Sequence, residues 1–311
     1  MQIIINTIRT LIFTNANEKI DCSFSKQVLT FNKITDQENT AMKYLNQHAI
    51  ITGGSSGIGK AVAKLLAQQG ANITLIARAR HKLTQAQQEI KQVIVNQTQQ
   101  INIATADVAE RVSITSVLEE AIANLGAPIL LITSAGIAHP GYFSEIPLEM
   151  FEQTMAVNYF GSLYSVKAVL PAMIERQQGH IVLISSGAGL IGIYGYSAYC
   201  PSKFAIRGLA ESLRGELKPK GINLTVVYPP DTDTPQLAAE NKIKPLETKQ
   251  ITATAKILSA EDVAQQILRG VAKNQFAIAP GIELKILNRW HCLLSPLVNW
   301  YFDRIVDRTN K

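Results

Sequence analysis

From His48 onward, six short apolar runs alternate with amphipathic stretches of helical length, the runs falling at 49–52, 73–77, 101–104, 129–133, 181–185 and 224–228. Strands this uniformly apolar are buried on both faces. The segments between them, near 57–69, 80–95, 111–125, 148–177, 197–218 and 261–272, are long enough to carry the chain back to the same end of a sheet. The pattern predicts an α/β fold: one Rossmann-like, doubly wound parallel sheet with helices on both faces, forming a single domain over 42–281. No longer internal period points to a solenoid.

Residues 1–41 stand outside this pattern. Apolar residues in Met1-Gln2-Ile3-Ile4-Ile5 and Leu11-Ile12-Phe13 are interrupted by Asn6, Thr7, Arg9 and Thr10, which is neither a signal-peptide core nor a membrane span. The stretch is then rich in Asn, Thr, Lys and Gln and is expected to be a poorly ordered extension. Met42-Lys43-Tyr44-Leu45-Asn46 leads straight into the first strand, so Met42 is a candidate start. At the other end, 282–311 holds an uncharged run from Cys292 to Phe302 that contains Pro296; its eleven residues are too few to cross a hydrocarbon layer about 30 Å thick. Trp290, Trp300, Tyr301 and Phe302 suit headgroup level, with Arg304 and Arg308 near lipid phosphate. The expectation is therefore an amphipathic segment that makes peripheral membrane contact, or one that packs on its own domain or a partner subunit.

Charge and cysteine usage narrow the function classes. The net charge is +6, without the dense Lys/Arg run interleaved with aromatics that a nucleic-acid surface shows, so no nucleic-acid partner is expected. Cys22, Cys200 and Cys292 are odd in number and scattered, which suits a reducing, cytoplasmic setting better than a disulfide framework. His48, His81, His139, His180 and His291 lack ligand spacing, so no metal site is expected.

Directly after the first strand comes Thr52-Gly53-Gly54-Ser55-Ser56-Gly57-Ile58-Gly59, followed by the helical stretch Ala61-Val62-Ala63-Lys64-Leu65-Leu66. Glycines let backbone approach a pyrophosphate, and a helix N-terminus supplies unpaired N–H groups and a positive dipole end. Gly53, Ser55, Ser56, Gly57, Ile58 and Gly59 are thus candidate dinucleotide-binding residues. Where the second strand ends, an NAD-binding chain would place Asp or Glu for the ribose 2′-hydroxyl. This chain has Ala77-Arg78, then Arg80 and Lys82, and cations there suit the 2′-phosphate of NADP(H). Asp107, after the third strand, is placed either to contact the adenine or to cap the next helix.

Tyr199 and Lys203 are four residues apart, so a helix would set phenol and ammonium on one face, and the cation would favour the phenolate. Alone, the pair also fits a core tyrosine beside a solvated lysine. With the TGGSSGIG loop, Ser134-Ala135-Gly136 after the fourth strand, Asn158 in Val157-Asn158-Tyr159, and Ser186 13 residues before Tyr199, the chain over about 48–235 resembles the short-chain dehydrogenase/reductase family. The resemblance implies that Tyr199 donates a proton to a carbonyl oxygen and that Ser186 hydrogen-bonds that oxygen. It also implies that Lys203 holds the nicotinamide ribose and lowers the phenol pKa, that Asn158 maintains a water path, and that Thr234 contacts the carboxamide. Ser185 is the neighbouring alternative for the serine role, expected to turn away at the strand end. Where most of the family has Asn-Ala-Gly and Pro-Gly, this chain has Ser134-Ala135-Gly136 and Pro229-Pro230.

A finer resemblance, to members that reduce the ketone of a long-chain base with NADPH, rests on three segments. They are Tyr228-Pro229-Pro230-Asp231-Thr232-Asp233-Thr234-Pro235, Phe204-Ala205-Ile206-Arg207-Gly208-Leu209-Ala210-Glu211, and Glu240-Asn241-Lys242 with Lys244-Pro245-Leu246-Glu247-Thr248. It implies a lipophilic ketone substrate, sphingolipid chemistry and a place on the cytoplasmic face of a membrane. The alternatives are a reductase of 3-oxoacyl or other lipophilic ketones, and an NADP(H)-binding scaffold or sensor without turnover. Pairing of copies through 148–177 and 197–218 is the oligomer that the family implies.

Overall fold

The computed structural model describes residues 43–253 and 255–309, so the extension predicted at 1–41, and the candidate start at Met42, lie outside the described residues. The first half of the sheet comes from β1 (His48–Thr52), β2 (Asn72–Ala77) and β3 (Ile101–Thr105), with α1 (Gly57–Ala67), α2 (Arg80–Lys91) and α3 (Arg111–Leu125) after them in turn. The second half comes from β4 (Leu130–Thr133), β5 (Gly179–Ile184) and β6 (Ile222–Val227). Between β4 and β5 run α4 (Leu148–Met155), a π turn (Ala156–Phe160) and α5 (Gly161–Glu175), and α6 (Tyr199–Leu217) joins β5 to β6. After β6 follow β7 (Thr232–Asp233), α7 (Pro235–Ile243), α8 (Leu246–Thr252), β8 (Leu258–Ser259), α9 (Ala260–Ala272), β9 (Ala277–Ile278) and α10 (Ile282–Thr309).

Seven parallel strands stand in the order β3-β2-β1-β4-β5-β6-β9. Every residue of β1 and β5 is buried, because neighbouring residues point to opposite faces and both faces are covered. Ile51 joins a core with Leu66 of α1, Leu83 of α2 and Ile267 of α9. Ile50, one residue back, joins a second core with Leu118 of α3, Val169 of α5 and Ile206 of α6. Strand order reverses between β1 and β4, so the loops leaving these two strands part there and open a crevice.

Several elements differ from, or add to, the sequence reading. A seventh strand, β9, is present; it is two residues long and pairs with β6 only at Val226–Ala277 and Val227–Ile278, too short to carry a period. The helix predicted as continuous over 148–177 widens into a π turn at Ala156–Phe160, a device that recurs at functional positions. After β6 the Pro229-Pro230 segment stays non-helical and leads through β7 into α7 and α8. Finally, the C-terminal run is part of a 28-residue element, α10, broken at Trp290 (φ −127°, ψ 16°) into two arms. Its inner side packs on α8; Thr309 donates to the Gln250 side chain at 2.8 Å, and Arg207 of α6 is 3.4 Å from the His291 ring. No described helix is long and apolar enough to cross a membrane.

Candidate active site

The loop from Gly53 to Gly59 leaves β1 at the reversal point and delivers the N-terminus of α1 into the crevice. Gly53 has φ +69°, and a Cβ on it would lie 2.6 Å from the backbone nitrogen of Ala135, so only glycine lets the loops after β1 and β4 approach this closely. Ser56, the N-cap residue of α1, makes no side-chain cap bond, so no capping side chain occupies the first N–H groups of the helix. Uncapped N–H groups behind a glycine turn fit a pyrophosphate, and Ser55, Ile58 and Gly59 sit on the same turn. Across from it, Thr234 caps α7 through the Leu237 N–H at 3.3 Å, and its methyl would lie 3.0 Å from a Cβ on Gly57.

At the C-terminal end of β2 no acid occupies 77–82, and Arg78, Arg80 and Lys82 are all exposed. Arg78 Nη1 stands 3.7 Å from Asp107 Oδ2, while Asp107 Oδ1 accepts the Ala109 N–H at 3.0 Å. Asp107 therefore braces the turn after β3 and does not cap α3, whose N-cap is Glu110. Arg78 and Asp107 thus meet at the rim, with Lys82 in the first turn of α2.

The catalytic candidates gather beyond the end of β5. Ser185 Oγ donates to Lys203 O at 2.8 Å and so faces α6, whereas Ser186 caps a 3-10 turn, Gly187–Gly189, through the Ala188 N–H at 3.2 Å. A side-chain hydrogen bond links Ser186 to the Tyr199 phenol. Tyr199 opens α6, and Lys203, one turn on, is 4% exposed with Nζ 5.5 Å from the Tyr199 ring centroid. That ammonium donates to Ile184 O at 3.0 Å, which anchors α6 on β5.

Asn158 rides the π turn and is buried. Its Oδ1 accepts the Ile137 N–H at 2.9 Å; its Nδ2 donates to Ile137 O at 3.0 Å and to Ser202 Oγ at 2.9 Å. Ser202 Oγ donates in turn to Tyr199 O at 2.7 Å. The segment after β4, the π turn and the start of α6 are thereby tied together through one amide. Ser202 was not among the sequence candidates; its only signal was a small hydroxyl inside the Tyr199-to-Lys203 turn. Cys200, also without an assigned role, packs with Ala188 and Tyr196 and accepts the Ile193 N–H at 3.4 Å, and burial pushes its thiol up to about 11.

Electrostatics reverse one expectation. Burial first, and the Glu240 charge second, hold the Tyr199 phenol above its usual value, with the Ser186 hydrogen bond opposing them. Burial also lowers Lys203 to about 8, against the upward pull of Glu240. The protein alone therefore keeps the phenol protonated, because desolvation and the Glu240 charge outweigh the Ser186 hydrogen bond. Glu240 itself was missed at the sequence level as a site residue. Nearly buried on α7, it accepts from the Tyr196 phenol at 2.6 Å and from Gln236 at 2.8 Å. Lys244, also buried, turns to Asp231 at 3.5 Å. Such burial marks these groups as built into the site wall rather than its solvated rim.

Beyond Ser186 a cavity of about 450 Å³ extends past Pro229, Pro230 and Asp231 to the inner face of α10. Its walls are mostly apolar, and its size suits a small organic ligand. His48 and His180 are used elsewhere, bonding Thr74 and Thr225 inside the sheet. Among the described residues no group of three His, Cys, Asp or Glu side chains could hold a metal ion.

Comparison with known proteins gives the same picture. Residues 47–244 match the family model of the short chain dehydrogenases. The 3-dehydrosphinganine reductase of Danio rerio is 44% identical over 259 residues, 83% of this chain and 78% of that protein. The 3-ketodihydrosphingosine reductase of Dictyostelium discoideum is 41% identical over 281 residues, 86% and 83% of the two chains. A short-chain dehydrogenase/reductase from Burkholderia phymatum, solved in complex with NAD, superposes with a TM-score of 0.72 at 22% identity, covering 82% of this chain and 96% of that one. With the glycine turn at the reversal point and Ser186, Tyr199 and Lys203 gathered past β5, the chain belongs to the short-chain dehydrogenase/reductase family.

Proposed function

We propose that the chain is an NADPH-dependent ketone reductase that converts the 3-keto group of a long-chain sphingoid base to the alcohol. The observation that carries the reading is the joining of Tyr199 and Lys203 to Ser186, which lines one end of an apolar cavity, in a chain whose curated relatives carry that reductase name. When bound, the cofactor supplies the hydride that the carbonyl carbon accepts.

The uncapped start of α1 would hold the pyrophosphate, Arg78 and Lys82 would serve the 2′-phosphate, and Thr234 would serve the carboxamide. Asp107, which pairs with Arg78, would serve the adenine end. Lys203, kept in place by its bond to Ile184 O, would serve the nicotinamide ribose. As negative charge builds on the carbonyl oxygen, the Ser186 hydroxyl donates a hydrogen bond to it and Tyr199 transfers its phenolic proton. A phenol held protonated by burial is in the form that donates a proton. Asn158 keeps α6 in register and borders the path by which water returns a proton to Tyr199. The setting is the cytoplasmic face of a membrane, where NADPH and a lipid ketone meet.

A substrate panel tests this. Purified protein with NADPH or NADH is offered 3-ketodihydrosphingosine and a 3-oxoacyl thioester, and ketone-dependent loss of the reduced cofactor is followed. NADPH with the keto base gives the highest kcat/KM; a preference for the thioester overturns the substrate assignment, and no turnover with any ketone favours a binding protein.

A further inference from the structure

α10 presents two apolar faces. The inner one lines the cavity: a Cβ on Gly187, next to Ser186, would lie 3.1 Å from Leu284 of the first arm, and Leu294, Val298 and Phe302 of the second arm extend the wall. The outer one is a stripe of Trp290, Leu293, Leu297 and Trp300, with exposures of 53%, 73%, 41% and 52%. The spacing of four and three residues puts Leu293, Leu297 and Trp300 on one side of the second arm, and Trp290 stands at the break beside them. Leu297 belongs to both, since it lines the cavity and is exposed, so the hollow and the stripe are continuous.

What covers the stripe is indicated by its chemistry. The Arg304 guanidinium lies 4.8 Å from the Trp300 ring centroid, an aromatic and a cation paired as they are at headgroup level. Along α10, Lys285, Arg289, Arg304 and Arg308 nearly balance Glu283, Asp303 and Asp307. Contact with a surface of either charge therefore rests on apolar and aromatic burial. No described helix is long and apolar enough to cross the bilayer, so a contact of α10 with lipid would run along its side. A second copy seated on the stripe would close the cavity mouth at Leu297, whereas acyl chains would extend it.

We propose that the cavity holds the hydrocarbon chain of the substrate and that its mouth at Leu297 opens within the face by which α10 lies on a bilayer. The chain then passes from lipid to the catalytic end without crossing water. This rests on the reading of the substrate as a long-chain ketone.

Two experiments on the full chain test it. With NADPH and a series of 3-keto bases of increasing chain length, kcat/KM rises by up to about fourfold per added methylene, the transfer energy of one buried group, and then levels off. In Val298→Trp the levelling comes at a shorter chain. Independently, the double variant Leu293→Glu/Trp300→Glu leaves phosphatidylcholine vesicles in co-sedimentation while the wild type stays bound, and its melting temperature and its sedimentation velocity in free solution match the wild type. Turnover that ignores chain length, an unchanged profile in Val298→Trp, or a double variant that stays on vesicles overturns the proposal. So does a wild-type dimer that the double variant splits, which assigns the stripe to a second copy. Absence of turnover at every chain length strikes the reductase reading instead, and the vesicle arm still decides the membrane face.

Discussion

Replacing Asn158 by alanine separates a tether from a mere core residue. The side chain is 1% exposed and serves the Ile137 N–H, the Ile137 carbonyl and Ser202 Oγ at 2.9, 3.0 and 2.9 Å. Truncation removes all three bonds at once, and the void is close to the size of one water, which can restore only part of them. Two backbone groups left short at about 1–3 kcal/mol each, less what water recovers, give a loss of about 3 kcal/mol. For a domain of this size that is a fall of roughly 6–12 °C in Tm. Activity should fall further than stability explains, because the Ser202 bond to Tyr199 O loses its support, and a small misplacement of a catalytic group costs on the order of a hundredfold in kcat. Scanning calorimetry and NADPH oxidation, the latter below the melting range, give the two readouts. Ser165→Ala is the control: its equally buried hydroxyl bonds only Gly161 O at 2.7 Å on the same helix, so about 1 kcal/mol and an unchanged kcat are expected. An Asn158→Ala protein that melts and turns over like the control would refute the tether.

Three further outcomes follow from named contacts. His180 is held at about 4 by burial and by the Lys43 charge, below its ordinary 6.5; between those values only the unfolded chain takes up the proton. Stability is thus lost as pH falls through that window, by about 2 kcal/mol from pH 7 to pH 5, and His180→Gln should flatten this part of the denaturation profile; a slope unchanged by the variant rejects the assignment. Arg78→Asp should cut the NADPH-over-NADH ratio of kcat/KM by about tenfold to a hundredfold, the worth of a charge-assisted contact, and an unchanged ratio moves the 2′-phosphate site elsewhere. Gly59→Ala would place a Cβ 2.5 Å from Gly53 O, so about 1–3 kcal/mol of stability and NADPH binding should both be lost; wild-type titration and melting would mean the loop has room.

The legible parts of this chain were those with a period or a fixed spacing. Parallel strands buried on both faces appear as plain apolar runs, and the glycine turn needs its residue types in order, so the sheet, the reversal point and the Tyr199-to-Lys203 turn were readable in advance. The π turn was not, because Ala156–Phe160 keeps helical composition and the extra residue shows only in backbone hydrogen bonding. Glu240 and Ser202 escaped for a different reason. Each acts through a partner distant in sequence, Tyr196 at a separation of 44 for Glu240 and Asn158 at 44 for Ser202, and no local pattern encodes such a pairing. The direction of the Tyr199 shift was misjudged because spacing reveals a neighbouring cation but not how far both groups are desolvated. The C-terminal segment from 282 was expected as amphipathic, but its division into two arms was not legible, because the residue types around Trp290 carry no signal of a break.

The central claim is that Tyr199 delivers the proton to a lipid ketone beside bound NADPH. Its most direct test compares wild type and Tyr199→Phe in NADPH binding, by fluorescence titration, and in NADPH consumption with 3-ketodihydrosphingosine. Wild type should form one reduced base per NADPH, and Tyr199→Phe should bind NADPH comparably while turnover drops by roughly 10²–10⁴-fold. Turnover by Tyr199→Phe at near the wild-type rate would contradict the account.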